Sequence, residues 1–262
     1  IYSMRIAFSG TGNSGKTTLV KSFLYTWKNY STPEKTYRDI IEEEGLTHSS
    51  ATTTDTQEKI LTFMIDQIQG SEQSDKVVYD RCPLDNIAYT MWCHDKNVEG
   101  FTKDFVTEQI KLMKESMRFL DIIFLCRFDS KQKVVDDGFR DTDLNFIKEV
   151  DNIFFSLYRQ YTEHPEADIF FPKGDSPCII LLPDDPQSRI DLVAEYVTPD
   201  GDMYGDEDSI LNPENINELE RLVKLQKEAK EHEDEQERLK QKFGLPPGRD
   251  FGGASDYPSI TL

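Results

Sequence analysis

The sequence predicts an α/β protein: a doubly wound parallel sheet with helices on both faces, followed by an acidic helical and disordered tail. Three observations point there. Four short segments are apolar almost throughout, as strands covered on both faces must be. Amphipathic stretches of helical period separate them. Near residue 197 this alternation stops, and glycine, aspartate and then dense charge take over.

The elements follow in chain order. Residues 4–9 (MRIAFS) read as a strand that runs straight into a glycine-rich turn. The next helix carries Leu19, Phe23 and either Leu24 or Trp27 on its apolar face. Residues 33–44 and 55–69 read as helices, the second with Ile60, Leu61, Met64, Ile65 and Ile68 at helical spacing. Lys76-Val77-Val78-Tyr79-Asp80 reads as a buried strand ending in a carboxylate. Pro83 suits the first turn of a helix over 83–93. A further helix over 102–119 has Phe105, Leu112 and Met113 among its apolar positions. Residues 121–127 and 177–182 are the remaining strands. Between them lie a polar connection, 128–141, and a long amphipathic helix, 142–161; a last helix covers about 186–196. This places one domain at 4–197. Residues 198–211 read as a linker, 213–243 as a charged helix behind Asn212-Pro213, and 244–262 as disordered, so 198–262 forms the tail. Ile1-Tyr2-Ser3 ahead of Met4 are expected to be a cloning remnant.

The 262 residues hold 30 Lys and Arg against 49 Asp and Glu, a net charge of −19. That balance argues against general adhesion to nucleic acid or to an anionic membrane, while leaving room for a local basic cleft. Residues 198–262 alone carry 16 acidic and 8 basic residues, so −8 sits on the tail and −11 on the rest. No apolar run approaches the roughly 18–20 residues that span a bilayer, and the N-terminus lacks the order of a signal peptide. Cys82, Cys93, Cys126 and Cys178 are scattered without a CxxC pair, which suggests neither a disulfide framework nor a zinc site. The expected location is the cytoplasm, that of the host if a phage encodes the chain. His48, His94, His164 and His232 show no ligand spacing and receive no role.

Gly10-Thr11-Gly12-Asn13-Ser14-Gly15-Lys16-Thr17 matches the phosphate loop G-x-x-x-x-G-K-[ST] in full. Its glycines let the backbone aim N–H groups at phosphate oxygens, and the helix behind it points its positive end at the same anions. Lys16 is expected to reach the β- and γ-phosphates of ATP, and Thr17 to ligate Mg²⁺. A strand before and an amphipathic helix after supply the context that the motif requires.

A phosphate loop specifies nucleotide binding, and the reaction must be read elsewhere. Asp80 and Arg81 fall at the C-terminal end of a strand, the edge that faces the ligand crevice in open α/β sheets. Asp80 is a candidate for holding Mg²⁺ or for accepting a proton from an attacking hydroxyl. Arg81 suits bidentate contact with a phosphate or the acceptor. Asp85 fits equally a helix cap and an acceptor contact. Arg127, Lys131, Lys133 and Arg140 lie in the polar connection, where a cationic lid would neutralise charge and exclude water; Arg140, beside a glycine and just before a helix, is the strongest candidate. After the last strand, Arg189 either stacks on an adenine or belongs to an ordinary helix start.

Together, GTGNSGKTT, VVYDRCPLDNIAY and DDGFRDTD ahead of a long helix resemble the P-loop nucleoside and nucleotide kinases. That group includes thymidylate kinases, deoxynucleoside kinases and nicotinamide-riboside-kinase-like ATPases. Most similar are the small kinase-like ATPases of bacteria and phages, in which a D-R-x-x-x-D element follows the third strand. The resemblance covers residues 4 to about 197. It implies a sheet of the P-loop kinase type, with Gly10, Thr11, Gly12, Asn13, Ser14, Gly15, Lys16, Thr17 and Thr18 binding ATP and Mg²⁺. It also implies that Asp80 and Arg81 serve the acceptor and that Arg140 sits in the lid. The chain departs from the pattern after the first helix, where Glu34 and Arg38, the expected acceptor-binding pair, stand one residue further apart than in the family.

The function expected is transfer of the γ-phosphoryl group of ATP to a (deoxy)nucleoside or its monophosphate. Two alternatives stay open: a kinase for a modified base or an end within DNA, disfavoured by the net charge, and an ATP-gated regulatory or assembly protein. In the latter, Ile216, Leu219, Leu222, Val223 and Leu239 of the tail would bind a protein partner or a second copy of the chain.

Overall fold

The computed structural model describes residues 4–71, 76–129, 131, 134, 136, 141–164, 169–172, 174–203, 221 and 224. The chain divides into two units, Ile1–Tyr204 and Gly205–Leu262. The expectations for residues 1–3, for Lys133 and Arg140 and for nearly all of the tail lie outside the described residues.

Strands β1 (Arg5–Ser9), β2 (Val77–Asp80), β3 (Ile122–Cys126) and β4 (Cys178–Leu182) form a sheet of order β2-β1-β3-β4, parallel at every pairing. Seven α-helices connect and cover them: α1 (Lys16–Thr26), α2 (Tyr37–Glu44), α3 (Thr54–Gln69), α4 (Pro83–Asp95), α5 (Lys103–Ser116), α6 (Leu144–Glu163) and α7 (Pro186–Tyr196). Among the described residues no helix is long and apolar enough to cross a membrane.

The two faces of the sheet divide as strand alternation requires. Ala7, Val77, Tyr79, Ile123 and Leu125 pack with Leu61 of α3, Ile87 of α4, Met113 of α5 and Phe154 of α6. Ile6, Phe8, Val78, Ile122 and Phe124 pack on the other face, with Leu19 and Phe23 of α1 and Val193 of α7. Trp27 completes the apolar face of α1 and is buried, whereas Leu24 is only partly covered. Because the strands are parallel, Ser9, Asp80, Cys126 and Leu182 end along one edge, where the connections that could hold a ligand converge.

Several boundaries differ from the sequence expectation for local reasons. The helix expected from residue 33 starts at Tyr37, because Thr36 and Asp39 form a capping box in which the Thr36 N–H donates to Asp39 Oδ2 at 2.6 Å. The long helix starts at Leu144 because Asp143 caps it, accepting from the Asn145 N–H at 2.8 Å. The D-R-x-x-x-D element follows β2, the second strand in chain order. Ser31 forms only a one-residue parallel bridge to Val77, in the place of a strand between α1 and α2.

Residues 198–203, expected to open a linker, are tied to the core instead. Trp27 Nε1 donates to Thr198 O and Tyr30 Oη to Gly201 O, each at 2.8 Å. Lys76 Nζ lies 2.6 Å from Asp202 Oδ1.

Candidate active site

The phosphate loop is shaped by two glycines that other residues could not replace without strain. Gly10 has φ +140°, and a Cβ there would stand 2.2 Å from Cys126 O at the end of β3. Gly15, with φ +84°, precedes α1 and leaves that helix without a side-chain cap. By contrast, Thr36, Thr53, Thr102, Asp143 and Asp185 cap α2, α3, α5, α6 and α7. The first amides of α1 are therefore open to an anion.

Lys16 is buried and folds back into its own loop, donating to Thr11 O at 2.5 Å and Ser14 Oγ at 3.1 Å. Burial first, and then the neighbouring Arg81 charge, lower its pKa to about 7. Thr17 Oγ1 donates to Asp80 Oδ2 at 2.7 Å, so the two candidate metal ligands lie side by side at the mouth of the loop.

Arg189 is almost wholly buried, and its guanidinium binds three carbonyls: Pro183 O at 2.7 Å, Ser14 O at 2.6 Å and Arg127 O at 3.2 Å. These bonds make Arg189 a clamp that holds the phosphate loop against the ends of β3 and β4. A cavity beside it is lined by Gly15, Thr18, Leu19, Asp129 and Lys131, with Arg189 in its wall.

Arg81 has φ +85°, a left-handed conformation rare for a residue with a side chain. Its NH1 donates to Gly10 O at 3.0 Å and Asp85 Oδ1 at 2.9 Å. The rings of Tyr37 and Tyr89 lie 5.2 Å and 5.6 Å from the guanidinium carbon. Burial opposes the charge, yet Tyr37, Tyr89, Asp85 and Asp80 hold the pKa well above its ordinary value, so Arg81 stays a cation.

Asp85, expected to contact the acceptor, is 1% exposed and its carboxylate accepts from Ser9, Gly10, Arg81 and Cys82. All its acceptor capacity is used inside the protein. Glu34 is exposed ahead of α2, which begins four residues later than the sequence pattern suggests, and it lines none of the cavities at the site. Arg38 does line the phosphate-loop cavity, together with Lys16, Thr17, Asp80 and Arg81. Arg127 is drawn away from the loop by α6, its Nε donating to Asp151 Oδ2 at 2.7 Å.

Beside the phosphate loop lies a mostly apolar cavity, walled by Tyr37, His48, Met64, Tyr89 and Phe146 among others. An acceptor pocket built from the helices of 33–69 and 83–119 is what the sequence leads one to expect, but its side chains could not be placed, since the walls come from Gly12 and the separate stretches 37–49, 57–64, 81–89 and 141–147. Within it, Asn86 Nδ2 donates to Gln57 Oε1 at 2.7 Å, and Gln57 Nε2 donates to Thr52 Oγ1 at 2.8 Å. Asn86 Oδ1 is buried without a partner. Amides at buried positions of α3 and α4 were the available signal, because apolar faces rarely carry them without a task.

The AAA domain family matches residues 5–169. No curated protein matches the chain. Among solved structures, NadR in complex with NR is similar at 19% identity and TM-score 0.54, over 74% of this chain and 52% of that one. This chain thus spans about half the length of that NadR chain. Deoxyadenosine kinase from M. mycoides, with dCMP and dCDP bound, is similar at 15% identity and TM-score 0.53, over 72% of this chain and 96% of that one. Thymidylate kinase from Candida albicans is similar at 18% identity and TM-score 0.51, over 74% and 92%. At these identities the likeness is one of fold, and the fold is that of the P-loop nucleoside and nucleotide kinases. With more than half of its residues matched, the chain belongs to the AAA domain family.

Proposed function

We propose that the protein is an ATP-dependent phosphotransferase that moves the γ-phosphoryl group to a (deoxy)nucleoside or a (deoxy)nucleoside monophosphate. One observation carries this reading: three cavities adjoin along the C-terminal edge of the sheet. The phosphate-loop cavity shares Gly15 with the cavity beside Arg189, and it shares Gly12, Tyr37 and Arg81 with the apolar cavity. ATP with its phosphates in the loop would lay its base toward Thr18 and Lys131. Its γ-phosphate would then stand at Gly12 and Arg81, facing an acceptor in the apolar cavity.

In this arrangement Lys16 and the loop amides hold the phosphates, and Arg81 offsets charge on the transferred group from the junction of the two cavities. The adjacent Thr17 hydroxyl and Asp80 carboxylate are hard oxygen donors that fit Mg²⁺. Bound there, Mg²⁺ supplies charge neutralisation at the phosphates. Asp80 is alternatively placed to take the proton of an attacking hydroxyl. Arg140 enters as the lid cation on the strength of the sequence. The names of the kinases with this fold support a nucleoside-type acceptor, as does a cavity of apolar walls with a few convergent amides.

The test is ADP release across a panel of nucleosides and nucleotides. Stimulation by a panel member, lost in Lys16→Ala, supports the reading; turnover indifferent to every member contradicts it.

A further inference from the structure

Asp85 closes the D-R-x-x-x-D element, and its surroundings suit neither a substrate contact nor a simple helix cap. A cap would need one bond, the Cys82 N–H that reaches Asp85 Oδ2 at 3.1 Å. The other three lead away from α4. Asp85 Oδ2 also accepts from Ser9 Oγ at the end of β1. Asp85 Oδ1 accepts from the Gly10 N–H at 3.1 Å and from Arg81 NH1 at 2.9 Å. The same NH1 donates to Gly10 O at 3.0 Å, so the first residue of the phosphate loop is held at its N–H by Asp85 and at its C=O by Arg81.

This closed ring of bonds also accounts for the left-handed backbone of Arg81. Such a conformation in a non-glycine residue persists where the surroundings over-determine it. Here the guanidinium is fixed by Asp85 and Gly10, and the rings of Tyr37 and Tyr89 stand on it. Neither partner could move without disturbing the start of the loop.

We propose that Asp85 is a positioning residue that joins the phosphate loop and Arg81 into one rigid unit, so that an incoming triphosphate meets a guanidinium already aimed. Preorganised donors act without reorganisation when the charged ligand arrives, which is the source of their effect on affinity and rate. The inference rests on the ATP-binding half of the proposed function and is independent of the acceptor.

The experiment is a double-mutant cycle on MgATP affinity, read by calorimetry on folded protein well below each melting temperature. The proteins are the unaltered chain, Asp85→Asn, Arg81→Gln and the double variant. Each single variant is expected to bind MgATP about tenfold more weakly, and the double variant no more than about twentyfold, because both changes break one unit. Multiplicative losses, near one hundredfold in the double variant, overturn the inference. So does an Asp85→Asn protein that melts earlier but binds MgATP normally, the mark of a scaffold role alone. If Asp85→Asn does not fold, Ser9→Ala removes only the hydroxyl arm. It is expected to weaken MgATP about threefold, an effect lost when Arg81→Gln is also present; unchanged affinity overturns the inference. The acceptor panel runs separately, and a failure there leaves these affinities readable.

Discussion

Thr17 Oγ1 donates to Asp80 Oδ2 at 2.7 Å, joining the first turn of α1 to the C-terminal end of β2. These residues are 63 apart in sequence, and parallel pairing of β1 with β2 brings them together. If the pair holds Mg²⁺, Asp80→Asn should raise the Mg²⁺ concentration for half-maximal turnover by about tenfold and lower the maximal rate by about 10²-fold. A magnesium titration of ATP turnover checks this. An unchanged magnesium requirement would assign Asp80 to proton transfer instead.

Lys16 is predicted to make nucleotide binding proton-linked. Burial holds its pKa near 7, below the usual 10.5, so between those values it is largely neutral. A triphosphate favours the charged form, so MgATP binding at about pH 8 should take up close to one proton, and at about pH 6 close to none. Affinity should fall as pH rises above 7, by up to roughly tenfold per pH unit. The unfolded chain holds the extra proton between about 7 and 10.5, so the folded protein gains stability as pH climbs through that window. Calorimetry in buffers of different ionisation enthalpy reads the uptake directly, and it should vanish in Lys16→Met.

Gly10 is predicted to be intolerant of even one methyl group. A Cβ at φ +140° would sit 2.2 Å from a backbone oxygen of β3, which cannot swing aside as a side chain would. Gly10→Ala should cost at least roughly 2 kcal/mol of stability and abolish MgATP binding. Gly12, where a Cβ would meet nothing within 4 Å, is the internal control: Gly12→Ala should fold as stably as the unaltered chain. Urea unfolding of both variants makes the comparison.

The buried amides of the apolar cavity should govern the acceptor and leave the donor alone. Gln57→Leu keeps the volume but breaks the bonds to Thr52 and Asn86. It should raise the acceptor KM by about tenfold or more while MgATP affinity moves by less than about twofold. Equal losses for both ligands would place Gln57 in the scaffold rather than the acceptor site.

Sequence and structure agree most closely where one local pattern carries the information. The phosphate loop is continuous, so its residues and its strand-before, helix-after setting are legible directly. The four strands are legible for the same reason, since a sheet covered by helices on both faces leaves them apolar almost throughout. The bonding of Asp85 was not legible. Its spacing from Asp80 advertises a carboxylate, but only the fold reveals that Ser9 and Gly10, more than 70 positions away, occupy it. The bonds of Arg189 were not legible for the same reason, because its partners Ser14, in the phosphate loop, and Arg127, just after β3, lie far away in sequence. The side chains lining the apolar cavity could not be placed from sequence, because no single segment encloses it.

The proposed activity requires that phosphate leave ATP for a small acceptor. ATP labelled at the γ-phosphate, incubated with Mg²⁺ and a nucleoside and nucleotide panel, decides it when the acceptor product is followed by mass. The prediction is one acceptor gaining a single phosphate in step with ADP formed, with the label on that product and none transferred by Lys16→Ala. Label released only as inorganic phosphate, at a rate no panel member changes, would contradict it.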